Sequence, residues 1–267
     1  MFRNQADLSV ILHRQQPSTW SELLSHPVIF LARKLYAWRK LPGSEDGLHD
    51  SRYHSPITVV CISDTHNCQP QLPDGDILVH AGDLTQSGSQ AEIQSAIDWL
   101  NRQPHAHKVI IAGNHDLMLD EAYKPSLGFG NQSQNRILWG NVIYLQNSST
   151  VVRCSRDREI KIYGSPASPR HGNWAFQYPR TSNVWKNTIP SDIDILITHV
   201  PPQGHLDVNR FGCRFLLEEI WKLQKKPRLH VIGHVHEGYG VENARFDRVQ
   251  RAYDDVILCK GGILGLT

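Results

Sequence analysis

Residue types that bind metals recur at five places in this chain, and four of the five directly follow a short apolar, β-branched run. They are Asp64-Thr65-His66, Gly82-Asp83, Gly113-Asn114-His115-Asp116, Thr198-His199 and Gly233-His234-Val235-His236. The run Ile57-Thr58-Val59-Val60-Cys61-Ile62 ahead of Asp64 is one example. A strand that ends in a ligand, repeated along a chain, gathers those ligands at one edge of a sheet. Carboxylate, amide and imidazole donors without thiolates suit Mn, Fe, Zn or Mg better than a structural Cys-zinc site. The pattern therefore calls for a sheet protein with a centre for two divalent metal ions.

Further strands are expected over 76–80, 108–112, 193–197 and 228–232, with shorter β-like runs at 142–145, 150–152 and 159–163. Between the second and third strands, Ile93, Ile97 and Leu100 have helical spacing, and Ser89 with Glu92 forms a capping-box start. Residues 213–224 read as another helix and Val256-Ile257-Leu258-Cys259 as a late strand. This alternation implies an α/β fold with a mixed sheet or two packed sheets. A ligand set drawn from residues 64 to 236 implies one catalytic domain over residues 51–267.

Residues 1–50 read as a helical extension and linker. The stretch 28–40 is apolar over much of its circumference, and Pro27 suits the first turn of a helix there. It is too short to span a bilayer and lacks a signal-peptide cleavage pattern. A helix packed on the catalytic domain is the favoured reading for residues 20–40, ahead of contact with a membrane or a partner, because no long basic face accompanies the apolar one. A polar linker is expected from Pro42 to about Pro56. A formal charge of +2 gives no electrostatic case for a nucleic-acid polymer as partner. Five cysteines without a CxxC pair favour a reducing, cytoplasmic compartment, the sequons at Asn131 and Asn147 notwithstanding.

Asp64 and His66 lie two apart, so an extended turn aims both side chains to one side, and His234 and His236 repeat that spacing. Gly82 lets the backbone turn tightly so that Asp83 faces an ion, and one carboxylate can bridge two metals. Asn114 offers a neutral oxygen, and His115 beside it can give a proton to a leaving oxygen. Taken singly, each of these has an ordinary reading: a loop cap for Asp83, a hydrogen-bonded core imidazole for His199.

The ordered set resembles the calcineurin-like metallophosphoesterase superfamily across roughly residues 57–260. His80-Ala81-Gly82-Asp83-Leu84-Thr85, Ile160 to Pro166, Trp174-Ala175-Phe176, His199-Val200-Pro201-Pro202 and Gly233 to Gly240 are most similar to its metallophosphoesterase-domain (MPPED) subfamily. The resemblance implies a four-layer sandwich, two mixed sheets flanked by helices, and a phosphoesterase using two divalent ions, with Mn expected and Fe, Zn or Mg as alternatives. It assigns Asp64, His66, Asp83 and His236 to one ion and Asp83, Asn114, His199 and His234 to the other, with His115 as acid. Some members carry Gly where this chain has His234, so its presence points to an active enzyme. The protein serine/threonine phosphatase loop Gly-Asp-x-x-Asp-Arg-Gly is replaced here by Gly82 to Gly88 without arginine, which argues against a phosphoprotein substrate.

Small phosphodiesters, nucleotides among them, are the expected substrates. The competing reading is a metal- and nucleotide-binding protein with little or no catalysis, or the same centre adapted to a specialised metabolite. The block 165–176 is a candidate substrate wall, with Trp174 or Phe176 stacking on a base and Arg170 or His171 meeting a phosphate. Its alternative reading keeps both aromatics in the core and Arg170 in solvent. Asp116, His205, Asp207 and Glu237 are candidates for orienting the ligands, whereas His13, His54, His105 and His107 are expected on the surface.

Overall fold

The structure, a computed structural model, describes residues 19–38, 56–123, 136–208 and 211–258. In chain order the elements are α1 (Thr19–Ser25), α2 (Pro27–Trp38), β1 (Val59–Ile62), β2 (Ile77–Ala81), α3 (Gln90–Asn101), β3 (His107–Ile111) and β4 (Val142–Tyr144). There follow β5 (Ser148–Cys154), β6 (Arg158–Ser165), β7 (Ser168–Pro169), β8 (Gln177–Tyr178), β9 (Ile195–Thr198), α4 (Arg214–Lys222), β10 (Leu229–Val231) and α5 (Arg248–Leu258). The chain divides into two compact units. The larger comprises Ser55–Pro202 and Cys213–Val235, and the smaller Met1–His54, Gln203–Gly212 and His236–Thr267.

The larger unit holds two four-stranded sheets flanked by helices, ordered β1-β2-β3-β4 and β10-β9-β6-β5. All three described pairings of the first sheet are parallel. The second is mixed, because β5 and β6 form an antiparallel hairpin while β6, β9 and β10 run parallel. Period-two alternation divides the first sheet's side chains between two cores. Ile77, Val79, Ala81, Val109 and Ile111 meet Val152, Ile162, Ile195, Ile197 and Val231 of the second sheet. Leu78, Ile110 and Ala112 face the other way and pack with Ile93, Ala96, Ile97 and Leu100 of α3.

The parallel register sets the strand ends level. Ile62 lies beside His80 and His80 beside Ile110, so the segments after β1, β2 and β3 leave one edge of the sheet together. In the second sheet Ser165 lies beside Thr198, and Ile197 beside Val231. The loop after β2 is stiffened at once by α3. Its N-cap Ser89 accepts from Glu92 N–H while Glu92 accepts from Ser89 N–H, an arrangement contributing about 1 kcal/mol.

In the smaller unit α2 begins at Pro27 as expected and packs on α5, with Tyr36 stacked on Tyr253 at 4.2 Å. Leu31, Leu35 and Trp38 remain exposed. Among the described residues no helix is long and apolar enough to cross a membrane. Two expectations are corrected. Residues 256–258, expected as a strand, form the last turn of α5, because Gln250, Tyr253, Asp254 and Ile257 are buried at helical spacing. His105, expected on the surface, is buried beside the Gly75 turn, with its Nε2 donating to Pro73 O at 3.1 Å. The linker expected at 42–56 lies outside the described residues except for Pro56, as do His13, His54 and the Asn131 sequon.

Candidate metal centre

The segments leaving the first sheet are held in left-handed backbone. Asp64, His66, Asn67 and Asp83 have φ of 53°, 43°, 69° and 53°, and His234 has 71°. Such conformations persist in non-glycine residues only where their surroundings over-determine them. Gly113, just before Asn114, has no space for a side chain, since a Cβ there would lie 2.2 Å from Asp83 Oδ1. At Gly233, before His234, it would lie 2.6 Å from Asp64 Oδ2.

Asp83 is the centre of the cluster. Its Oδ1 accepts from His115 N–H at 2.8 Å, while Oδ2 lies 3.3 Å from His199 Nε2 and 3.9 Å from His66 Nε2. Ligand atoms of Asp64, Asp83 and His199 all fall within 4.8 Å of one another, as do those of His66, Asp83 and His115. Asp83 is thus common to two groups of donors. Asn114 joins the first of them, with Oδ1 3.1 Å from His199 Nε2. Asp64 receives the His234 backbone N–H on both carboxylate oxygens, at 2.9 and 3.1 Å.

The imidazoles are oriented in advance. His66, His115 and His199 each give Nδ1–H to a backbone carbonyl, those of Thr85, Gln86 and Ala81 at 3.2, 2.8 and 2.8 Å. That leaves Nε2 as the ring nitrogen each can turn to the cluster, the usual arrangement of a metal-binding histidine. Oxygen and imidazole donors of this kind, shared around one carboxylate, fit divalent ions.

Charge balance points the same way. Burial pushes the Asp83 carboxyl up, but the charge and hydrogen bonds of His199 and His115 outweigh it and hold it well below the usual carboxylate range. Burial pulls His199 down, yet Asp83 outweighs it and raises the imidazole to about 9. His234 is drawn to about 3 by burial and by the neighbouring His199 and His171, which keeps it neutral.

Asp116 acts as a staple. Fully buried, it accepts from the backbone N–H groups of Leu84, Thr85 and Gly113 and from the Thr85 hydroxyl, at 2.7 to 3.2 Å. It therefore ties the Asp83 loop to the Asn114 loop. His205 behaves differently from expectation: its two ring nitrogens bond Glu242 at 2.7 Å and Asp254 at 2.9 Å within the smaller unit, leaving none to orient a ligand. Asp207 accepts from Gly212 N–H in that unit, and Glu237 is exposed. His236 opens the 3₁₀ turn His236–Gly238 there.

Of the wall residues, Trp174 stacks on His115 and His171 meets the His234 ring edge-on, with centroids 4.2 and 4.8 Å apart. Arg170 is exposed, and Phe176 packs against the α3-side core. The wall is anchored by the Asn114 carbonyl and by Asp120 and Tyr123, which belong to none of the motifs. Phe176 N–H donates to Asp120 Oδ2 at 2.6 Å, Tyr123 O–H to Asn173 O at 3.0 Å, and Ala175 N–H to Asn114 O at 3.1 Å. Asp120 and Tyr123 have only their nearness to Asp116 in sequence as a signal.

Residues 57–238 match the family model described as calcineurin-like phosphoesterase. The chain is 43% identical over 251 residues to an Emericella nidulans protein named probable rhamnogalacturonate lyase C, covering 94% of this chain and 23% of that one. It is 42% identical over 205 residues to human metallophosphoesterase domain-containing protein 1, covering 68% of this chain and 61% of the relative. A Caenorhabditis elegans UPF0046 protein is 38% identical over 199 residues, covering 69% and 65% respectively. The chain thus spans less than two thirds of the length of these relatives.

Proposed function

The chain belongs to the calcineurin-like phosphoesterase family, and on that premise we propose that it hydrolyses small phosphodiesters, nucleotides among them, at a dinuclear metal centre. The observation that carries this reading is Asp83, whose carboxylate is shared by two groups of donors. When bound, one ion would be held by Asp64, His66 and Asp83 and the other by Asp83, Asn114, His199 and His234. Two divalent ions, when bound, supply concentrated positive charge and a water that ionises near neutral pH.

The chain's own residues do the rest. His115 presents Nε2 because Gln86 O holds Nδ1–H, so protonated Nε2 gives its proton to the departing oxygen. Trp174 fixes the plane of that ring, and His171 and Arg170 border the place where a substrate lies. Asp116 holds the Asp83 and Asn114 loops at constant separation, so that little reorganisation accompanies the reaction. Lyase chemistry draws no support from the fungal relative's name, since the aligned segment is 23% of that protein.

The test is hydrolysis of bis-p-nitrophenyl phosphate by metal-stripped protein after Mn is restored. Turnover that requires Mn and is abolished in Asp83→Ala supports the proposal. Two Mn ions bound without turnover favours the binding-protein alternative.

A further inference from the structure

Two partly buried hydrogen-bond relays, one on each sheet, lie directly behind the ligand loops. In the first, His80 of β2 is fully buried, and its Nδ1 accepts from Gly82 N–H at 3.2 Å. The proton therefore sits on Nε2, which donates to Thr65 Oγ1 at 2.9 Å. Thr65 in turn donates to Leu84 O at 3.4 Å. In the second, Thr198 Oγ1 donates to Val200 O at 2.8 Å, so it accepts from His230 Nε2–H, also at 2.8 Å. Both relays run from imidazole N–H to threonine hydroxyl to backbone carbonyl.

Their placement relative to the ligands is the same. Thr65 lies between Asp64 and His66, and its acceptor carbonyl belongs to the residue after Asp83. Thr198 precedes His199, and its acceptor carbonyl belongs to the residue after His199. We propose that His80 and His230 are positioning residues of the metal centre, acting through Thr65 and Thr198 to fix the ligand loops; this rests on the metal-centre reading above. The first relay bears on the left-handed stretch at Asp64, His66 and Asp83, whose backbone needs outside restraint. A neutral imidazole suits this task, because it supplies one donor and one acceptor at once. Burial lowers His80 to about 4, which keeps it in that form.

The hydroxyls can be removed with almost no change of shape. Thr65→Val and Thr198→Val break the relays, whereas Thr65→Ser and Thr198→Ser keep them. Metal-stripped wild type and variants are titrated calorimetrically with Mn, and the melting temperature of each metal-free protein is recorded. The serine variants are expected to bind as wild type does. The valine variants should bind about 10–100-fold more weakly, the usual loss when a partner behind a ligand is removed. Valine variants that melt lower yet bind Mn as tightly as wild type overturn the proposal, because the hydroxyls then serve the fold alone. Wild type that binds no Mn overturns the metal-centre reading as well. Should Thr198→Val fail to fold, Thr65 decides the question, since it is half-buried in a loop.

Discussion

Trp174 lies against His115 with ring centroids 4.2 Å apart and planes 29° from parallel. The aromatic that the sequence offered as a substrate platform therefore spends one face on the proposed general acid. Trp174→Ala should lower kcat for a poor leaving group by about tenfold, near the upper value of a stacked aromatic pair. Mn content should stay at the wild-type level. Unchanged kcat with a raised KM would show that Trp174 contacts substrate only.

His115→Ala separates proton donation from metal binding. Its rate on an alkyl phosphodiester should fall by about 10²–10⁴-fold, and much less on a p-nitrophenyl ester, whose leaving group needs no proton. An equal loss on both esters, or loss of bound Mn, would contradict the assignment of His115 as acid.

His234→Gly tests the second ion. The ring sits 5.0 Å from that of His199, and the backbone N–H is held by Asp64. Glycine keeps that N–H and tolerates the φ of 71°, so the change removes chiefly the imidazole. One ion should bind more weakly and turnover should drop, while the melting temperature of the metal-free protein changes little.

Expectations met the structure best where strands end in ligands. Ile77–Ala81 is buried throughout and His107–Ile111 from Lys108 on, so their apolar runs had one physical explanation, whereas the edge strand Val59–Ile62 buries only Val60. The capping box at Ser89 was legible because both partners lie within four residues. Val256-Ile257-Leu258-Cys259 reads as a strand in sequence because a four-residue apolar run is ambiguous until its burial spacing is seen. His205 sits close in sequence to the ligand His199, yet its partners Glu242 and Asp254 are 37 and 49 residues away. The same limit hid Thr65–His80 and Thr198–His230: a hydrogen bond between distant segments leaves no periodicity.

His205 also sets a pH dependence. Burial lowers its pKa, but the bonds to Asp254 and Glu242 outweigh this and raise it to about 10. A histidine held above its unfolded value of about 6.5 stabilises fully below that pH and loses the contribution as pH rises to about 10. Stability should therefore fall with a slope of up to about 1.4 kcal/mol per pH unit across this window. His205→Gln should flatten that part of a denaturant-unfolding profile. An unaltered slope in the variant would assign the dependence to other groups.

Metal content per chain addresses the shared role of Asp83 most directly. Metal-stripped wild type and Asp83→Ala are equilibrated with excess Mn, freed of unbound ion and analysed for metal. Two ions per wild-type chain are expected, with both affinities reduced in the variant, because one carboxylate serves both. Two tightly held ions in Asp83→Ala, or no Mn in wild type, would contradict a centre built around this residue.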